Sequence, residues 1–247
     1  KTDFPETQVF NLEQNYRSTQ NILSAANIVI AKNGSHPVLK LWTKNPTGEK
    51  ISIYNAVSEI DEANFIVECI AQERKPLSCF AVLYRTNAQS RTIEEELLHS
   101  NIPYRLYGGV SFYDRKEVKD VLSYLRLVEN PKDKIARARV EKLGKRRFEK
   151  FKEMTDKLKK ATRPIDLIDK VLAATDYLKL IDDGTEQGLM RVENVKELKS
   201  VAADFETLST FLESVTLMEG KVAPEKSYEG QAADAVTLMT IHAAKGL

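Results

Sequence analysis

The sequence contains few of the residues that form covalent or metal-linked folds. It has two cysteines, Cys69 and Cys79, and three histidines among 247 residues. Neither cysteine has a metal-ligand neighbour, so we expect both thiols to be reduced core residues without a disulfide or zinc site. No apolar run approaches the roughly 20 residues that a membrane-spanning helix needs, and no basic-then-apolar signal pattern opens the sequence. These features predict a cytoplasmic protein with no membrane partner.

The net charge of +1 hides an uneven distribution of charged residues. Thirteen lysines and arginines but only four acids lie between residues 134 and 163. Such an excess can attract a polyanion such as nucleic acid. The alternative is a solvated helix face that acids elsewhere in the fold balance.

Strand and helix patterns alternate in the first half of the chain. Apolar runs predict strands at 51–57, 79–84 and 104–107, and helical spacing predicts helices at 59–73, 87–100 and 115–129. The run at 79–84 is typical of a strand buried on both faces. This order predicts βαβ units in a mostly parallel sheet, hence an α/β fold.

The pattern changes after residue 133. Helices are predicted at 138–160, 164–180 and 188–205, and another near Thr210, where Thr210 and Glu213 have capping-box spacing. A polar linker at 220–230 precedes a buried strand at 235–241. We therefore predict an α/β domain at 1–132, an all-helical insertion at 133–230 and a return to the α/β domain at 231–247.

Arg17 stands out near the amino terminus, in the stretch Leu-Glu-Gln-Asn-Tyr-Arg-Ser-Thr. A guanidinium is permanently charged and donates paired hydrogen bonds, which suits a phosphate that gains charge during transfer. Ser18 or Thr19 can cap a helix that follows, so Arg17 is expected on a loop in front of a buried helix. The alternative is an ordinary ion pair with Glu13 or another carboxylate.

A second notable stretch, Thr-Ile-His-Ala-Ala-Lys-Gly-Leu, lies at the other end of the chain. The strand before it would deliver Thr240, His242, Lys245 and Gly246 to the carboxyl edge of the sheet, where open α/β sheets bind ligands. With both stretches, the chain closely resembles the UvrD/Rep/PcrA family of superfamily 1A DNA helicases, at that family's fourth and fifth motifs. The resemblance implies the second RecA-like (P-loop NTPase-like) domain with its helical insertion.

The resemblance also implies nucleotide contacts. In this family the arginine that matches Arg17 reaches the γ-phosphate of ATP, which is bound with Mg²⁺ mainly by a first RecA-like domain of the same protein. Gln14 and Tyr16 would support Arg17, and Gly246 would belong to the same nucleotide site. Arg17 would complete the site when the two domains close.

Single-stranded DNA contacts are implied at the sheet edge. Arg85, Asn87 and Arg91 follow the predicted strand at 79–84 and suit a phosphodiester backbone, although a capped strand-to-helix turn would explain most of that stretch. The family match extends to this stretch and associates it with DNA. Thr240, His242 and Lys245 are implied to contact DNA or the path that couples DNA to ATP.

Residues 108–117 form another family stretch. Its paired glycines permit a tight turn, and Phe112 and Tyr113 could stack on a base, although aromatic residues after a strand more often belong to the core. Arg115 could serve the nucleotide cleft or pair with a carboxylate.

Other parts of the family pattern are missing from the 247 residues. No G-x-x-x-x-G-K-[ST] phosphate loop occurs. The segment at 134–147 is expected to be shortened against the family and to lack the family's glycine-containing helical hairpin. We therefore expect a piece of an ATP-dependent 3′-to-5′ helicase that acts on single-stranded and duplex DNA and is inactive alone. The alternatives are a non-enzymatic module that binds nucleic acid or protein through its basic helices, and a fragment of a helicase-nuclease.

Overall fold

The computed structural model describes residues 8, 10–34, 39–158, 162–221 and 234–245. The chain divides into two compact units, residues 1–55 and 56–247, and each is described by itself. Among the described residues, no helix is long and apolar enough to cross a membrane. The linker predicted at 222–230 lies outside the described residues.

The first unit is built around helix α1, Gln20–Ile30. Its first turn is capped by backbone carbonyls, since the amides of Gln20 and Asn21 donate to Pro46 and Thr47 at 3.2 and 3.0 Å. The predicted side-chain cap at Ser18 or Thr19 is therefore absent, although Thr19 occupies the N-cap position. The prediction of a buried helix holds only for Leu23, because Val29 and Ile30 of α1 are exposed.

The second unit contains a small sheet and nine α-helices among its described residues. The strands are β1 Ala81–Tyr84, β2 Tyr104–Leu106 and β3 Val236–Thr240. The helices are α2 Glu59–Gln72, α3 Ser90–His99, α4 Lys116–Glu129, α5 Lys134–Lys142, α6 Lys145–Thr155, α7 Pro164–Thr175, α8 Tyr177–Ile181, α9 Glu186–Ala202 and α10 Leu208–Lys221. Short 3₁₀ turns lie at Leu77–Cys79, Asn87–Gln89 and Phe112–Asp114.

The sheet is parallel throughout, in the order β1-β3-β2. The last strand in sequence is thus the central one, and its residues Val236 to Met239 are all buried. The prediction that 79–84 is buried on both faces is wrong, because β1 is an edge strand that alternates between exposed and more buried positions. The prediction of a parallel α/β sheet is confirmed.

A hydrophobic core joins α4 to the helices that follow it. Val118, Val121, Leu122 and Leu125 of α4 are completely buried there. Truncating one such leucine to alanine typically costs about 2–5 kcal/mol. The predicted boundary at 132 stays a prediction, and the packing of α4 favours an earlier one.

Three secondary-structure predictions and one capping prediction differ from the structure. Residues 51–57 form no strand within the described chain. The helix predicted at 138–160 breaks at Gly144, and the one at 164–180 breaks at Asp176, where both residues have positive φ. The capping residue of α10 is Thr207 rather than Thr210, since Thr207 Oγ1 accepts from the Thr210 amide.

In the segment at 134–147, α5 and α6 meet at Gly144, whose φ of 125° suits glycine. The expectation that this segment is shortened against the family's glycine-containing helical hairpin stays a prediction. Cys79, expected in the core, is exposed, and no disulfide links it to Cys69.

Candidate nucleic-acid interface

The carboxyl ends of the three parallel strands lie at one edge of the sheet. Tyr84 at the end of β1 pairs with Thr240 at the end of β3. The ladder continues one step further, because the Ile241 amide donates to the Tyr84 carbonyl and the Tyr107 amide to the Leu238 carbonyl, each at 2.9 Å. Residues that follow the strands are therefore brought together at this edge, as the sequence predicted.

Arg85 and His242 form a direct pair across this edge. Both side chains are exposed, and Arg85 Nη1 lies 3.0 Å from Nε2 and 3.2 Å from Nδ1 of the imidazole. A guanidinium can only donate, so the imidazole nitrogen accepts. The remaining guanidinium donors have no carboxylate partner within the described chain, which leaves the positive charge uncompensated toward solvent.

Three further predicted residues lie near this pair. The Asn87 side chain makes no hydrogen bond to the described residues, whereas its backbone carbonyl accepts from Arg115 Nη1 at 2.6 Å. Thr240 Oγ1 accepts from the Ala243 amide at 3.1 Å and keeps its own proton to donate. Lys245 is exposed and has no ion pair in the part of the chain that the structure describes. Gly246 lies outside that part.

A cleft of about 250 Å³ opens at the same edge. One wall carries Asn87, Thr240 and His242, and a second is formed by the backbone and side chains of 107–110. The third wall comes from the amino-terminal turns of α9, at Glu186, Gln187 and Met190. Neither 107–110 nor α9 was predicted as a site. The position of 107–110 directly after a strand could have indicated it, whereas only the tertiary fold brings α9 there.

Arg91 is placed differently from the sequence prediction. Its side chain is 9% exposed and ion-paired with three carboxylates, those of Glu197, Glu95 and Glu59, at 2.6, 2.7 and 3.1 Å. Burial alone would lower the pKa of Arg91, but Glu95 and Glu197 reverse this and the net pKa is raised. Because its charge is fully countered, we remove Arg91 from the proposed DNA contacts.

Arg115 is likewise a buried structural residue, and its role was left open by the sequence. Its guanidinium donates to the Asn87 carbonyl, Asn194 Oδ1 and Ser90 Oγ at 2.6, 3.0 and 2.9 Å. Burial lowers its pKa, while nearby Glu94 opposes this effect. Arg115 therefore joins the Asn87 turn to α9, the helix that carries Asn194.

Glu94 completes this network, and sequence reasoning missed it. It accepts hydrogen bonds from Ser90, Ser111 and Tyr104 at 2.7, 2.7 and 3.2 Å. Burial raises the pKa of its carboxyl, although the hydroxyl donors and Arg115 work against that shift. A single acidic residue on a helix gives no sequence signal for such a role.

The aromatic residues considered for base stacking, Phe112 and Tyr113, are core residues. They are 1% and 5% exposed, and the Tyr113 hydroxyl donates to Glu95 at 2.7 Å. The more common alternative for aromatic residues after a strand is therefore confirmed here.

In the first unit, Arg17 lies on a tightly held turn. Asn15 Oδ1 accepts from the backbone amides of Arg17 and Ser18 at 2.9 and 2.8 Å, and the side-chain amide of Asn45 donates to the carbonyls of Tyr16 and Ser18. The Arg17 side chain is exposed and has no ion pair among the described residues. The alternative pairing with Glu13 is therefore not observed.

The supporting residues predicted beside Arg17 contact each other. The Tyr16 hydroxyl donates to Gln14 Oε1 at 3.0 Å. Gln14 also forms a parallel bridge with Trp42. Across the described residues, no group of three or more potential ligands among His, Cys, Asp and Glu could hold a metal ion.

The basic helices retain part of their predicted charge excess. Arg137, Arg139, Lys150 and Lys152 have carboxylate partners. Between residues 134 and 163, the described cations without an ion pair are Lys134, Lys142, Lys145, Arg146, Lys157 and Arg163, all exposed, and the partly buried Arg147. Lys145 and Arg146 open α6, whose first turn contains no acid.

A parallel sheet flanked by helices, with polar residues at its carboxyl edge and a helical region before the last strand, defines a RecA-like α/β protein. The sequence-family model for the UvrD-like helicase C-terminal domain matches residues 10–183. The chain belongs to this family of superfamily 1 helicases.

Curated relatives include the ATP-dependent DNA helicases PcrA of Bacillus subtilis strain 168, Staphylococcus epidermidis and Staphylococcus aureus, at 36%, 37% and 36% identity. Each alignment covers 99% of this chain but 40% of the relative. The chain thus spans about two-fifths of their length. The alignments run over 299 positions, more than the 247 residues of the chain, so the relatives contain residues that have no counterpart here.

Proposed function

We propose that this chain is the second RecA-like domain, with its helical insertion, of an ATP-dependent DNA helicase. The whole enzyme would move 3′ to 5′ on single-stranded DNA and separate duplex strands, powered by ATP hydrolysis between two RecA-like domains. Family membership and the names of the relatives support this proposal. It includes a cytoplasmic location and the first RecA-like domain as a partner within the same protein.

The observation that carries the proposal is the uncompensated polar cluster at the sheet edge. Arg85, Asn87, Thr240, His242 and Lys245 follow adjacent strands, and the cations among them lack carboxylate partners within the described residues. Exposed cations and amides on a rigid sheet edge fit the sugar-phosphate backbone, which positions a nucleic acid without reading its sequence. The edge would therefore hold single-stranded DNA.

Arg17 supports the ATP part of the proposal. Its turn is fixed by Asn15 and Asn45, while its side chain is exposed. A fixed backbone with an uncommitted guanidinium suits a phosphate that arrives from another domain. ATP and Mg²⁺ would be held mainly by that first domain. Bound Mg²⁺ would supply charge neutralisation between the phosphates, and Arg17 would add the positive charge of this chain.

The test of the DNA proposal is the salt dependence of single-stranded DNA binding by the 247-residue chain. Fluorescence anisotropy with a labelled oligothymidylate would be measured over a series of salt concentrations. Arg85→Ala should weaken binding and reduce the slope of log K against log salt by about 0.7, the value for one phosphate contact on a single strand. Arg85→Lys keeps the charge and should retain most of the slope.

The basic hairpin of α5 and α6 favours a second candidate function, a nucleic-acid-binding module without motor activity. Its exposed, unpaired cations at 142, 145 and 146 could bind phosphate by themselves. The double variant Lys145→Ala/Arg146→Ala separates the two candidates. If this variant abolishes single-strand binding while Arg85→Ala does not change it, the sheet edge is not the DNA site and the module becomes the better proposal.

A further inference from the structure

One aromatic side chain at the sheet edge has no structural role that explains its exposure. Tyr107 follows β2, and its backbone is fixed by a hydrogen bond from its amide to the Leu238 carbonyl at 2.9 Å. Its side chain nevertheless remains 50% exposed, and its hydroxyl makes no hydrogen bond within the described residues. A rigid backbone therefore holds a large ring at the surface.

Tyr107 lines the cleft at the carboxyl edge, together with Gly108, Gly109 and Val110. Gly108 has a φ of 71°, which turns the chain sharply after Tyr107. A Cβ built on Gly109 would meet no atom within 4 Å, so the backbone beside the ring faces open space. This wall offers a flat apolar surface with room in front of it.

The volume of the cleft limits what it can receive. At about 250 Å³ it is smaller than the roughly 300–1,000 Å³ of pockets that enclose drug-sized ligands. A cleft of this size suits one planar ring system rather than a length of strand.

The charges around the cleft set the orientation of a bound nucleotide. The cation Arg85, which donates to the imidazole of His242, lies on the β1 and β3 side, whereas Glu186 lies on the α9 side. The guanidinium of Arg115, which also lines the cleft, is already engaged by the Asn87 carbonyl, Asn194 and Ser90. Phosphate is attracted to the first side and repelled by the second. A strand held at Arg85 would therefore turn a base inward, toward the ring of Tyr107.

We propose that Tyr107 is a base-stacking residue, and that the cleft between the sheet edge and α9 receives one base of single-stranded DNA. Aromatic platforms beside a cationic track are the usual means of binding single strands without sequence preference. The inference rests on the proposed function, because it requires single-stranded DNA at this edge. It adds a contact to the bases to the phosphate contacts already proposed.

The experiment compares two ligands, an oligothymidylate and a strand of the same length made only of abasic sugar-phosphate units. Tyr107→Ala should weaken binding of the oligothymidylate roughly 5- to 150-fold, the range for losing one stacking aromatic residue. It should leave binding of the abasic strand and the salt slope unchanged, because no phosphate contact is lost. Tyr107→Phe should bind both ligands like the unchanged chain.

Two further variants control for folding and for simple apolar contact. Leu217→Ala removes another exposed apolar side chain, on α10, and should alter neither ligand. Tyr107→Leu keeps an apolar side chain without a ring and should behave like Tyr107→Ala. If Tyr107→Leu binds oligothymidylate like the unchanged chain, or if Tyr107→Ala weakens both ligands equally, stacking is overturned.

The same measurements distinguish a failure of this inference from a failure of the proposed function. If Arg85→Ala reduces the salt slope but Tyr107→Ala changes nothing, DNA lies at the edge and only the stacking inference is wrong. If neither variant changes binding, the edge does not hold DNA, and both are wrong. A 2-aminopurine placed in the strand gives a direct signal, since its fluorescence is quenched on stacking and should recover with Tyr107→Ala.

Discussion

Glu94 is the residue whose titration should be visible in the stability of the protein. Burial raises the pKa of its carboxyl above the usual 4.5, so the folded state binds this proton more tightly than the unfolded state. The resulting cost to folding is absent below about pH 4.5 and grows as the pH rises to the raised pKa. The folded protein is therefore most stable while the Glu94 carboxyl is protonated, and it loses stability as the pH rises and the carboxyl ionises.

Glu94→Gln should remove that dependence. The free energy of unfolding of the variant minus that of the unchanged protein should increase with pH. Between about pH 4.5 and the raised pKa of Glu94, the increase should be up to about 1.4 kcal/mol per pH unit. Urea denaturation at a series of pH values from 4 upward measures the difference. Glu141→Gln, a change in an exposed ion pair, should alter stability by no more than about 1 kcal/mol. A difference for Glu94→Gln that is constant with pH would contradict the prediction.

The arginines show where residue-level prediction succeeds and where it stops. Arg17 and Arg85 are exposed, as expected of phosphate contacts, whereas Arg91 is buried among carboxylates. Arg85 and Arg91 belong to one sequence stretch and look equivalent in it. What separates them is Glu197, a partner 106 residues away in sequence. Local sequence cannot indicate a partner that only the tertiary fold supplies.

At the scale of elements, Arg91 joins three helices. It pairs with Glu95 of its own helix α3, with Glu197 of α9 and with Glu59 at the start of α2. Removing one partner from a buried ion cluster leaves uncompensated charge and typically costs about 3–5 kcal/mol. We therefore expect Arg91→Ala to lower the free energy of unfolding by about that amount, measured by chemical denaturation.

The control for this prediction is Arg137→Ala. Arg137 pairs with Glu141 on the surface, where both side chains are about half exposed, and such pairs contribute about 0–1 kcal/mol. Arg91→Ala should also leave the salt slope of single-strand binding unchanged in protein that remains folded. A stable Arg91→Ala chain with a reduced salt slope would instead restore Arg91 as a DNA contact.

Most helices and strands were predictable from the sequence, because their apolar spacing follows from burial of one face. The breaks inside the predicted helices were harder to predict from the sequence. Gly144 is a visible signal for one break. Asp176 gives no comparable signal, since its left-handed conformation accompanies bonds from Lys150 and Lys179. The failed strand at 51–57 shows that apolar alternation alone does not supply the neighbour that a strand requires.

At the scale of the whole molecule, the proposed activity depends on what the chain does not contain. Its sequence has no phosphate-binding loop, and the described residues include no cluster that could hold a metal ion. The proposed contribution of this chain to ATP hydrolysis is the positive charge of Arg17, supported by Gln14 and Tyr16. A single positive charge lowers the barrier only when the phosphates and Mg²⁺ are already in place.

Two ATPase results are expected from this division of roles. The 247-residue chain should show no ATPase activity stimulated by single-stranded DNA, and turnover by the purified chain would contradict the proposed division of roles.

In a longer protein that joins this chain to a nucleotide-binding first domain, Arg17→Ala should reduce kcat roughly 10³- to 10⁵-fold, the contribution of an arginine that enters from outside the phosphate site. ATP and DNA binding should be retained, because the guanidinium acts on charge that develops in the transition state. Arg137→Ala is the matched control and should leave turnover unchanged. If Arg17→Ala leaves kcat unchanged, Arg17 is structural, and the sheet edge and basic hairpin would then describe a binding module rather than part of a motor.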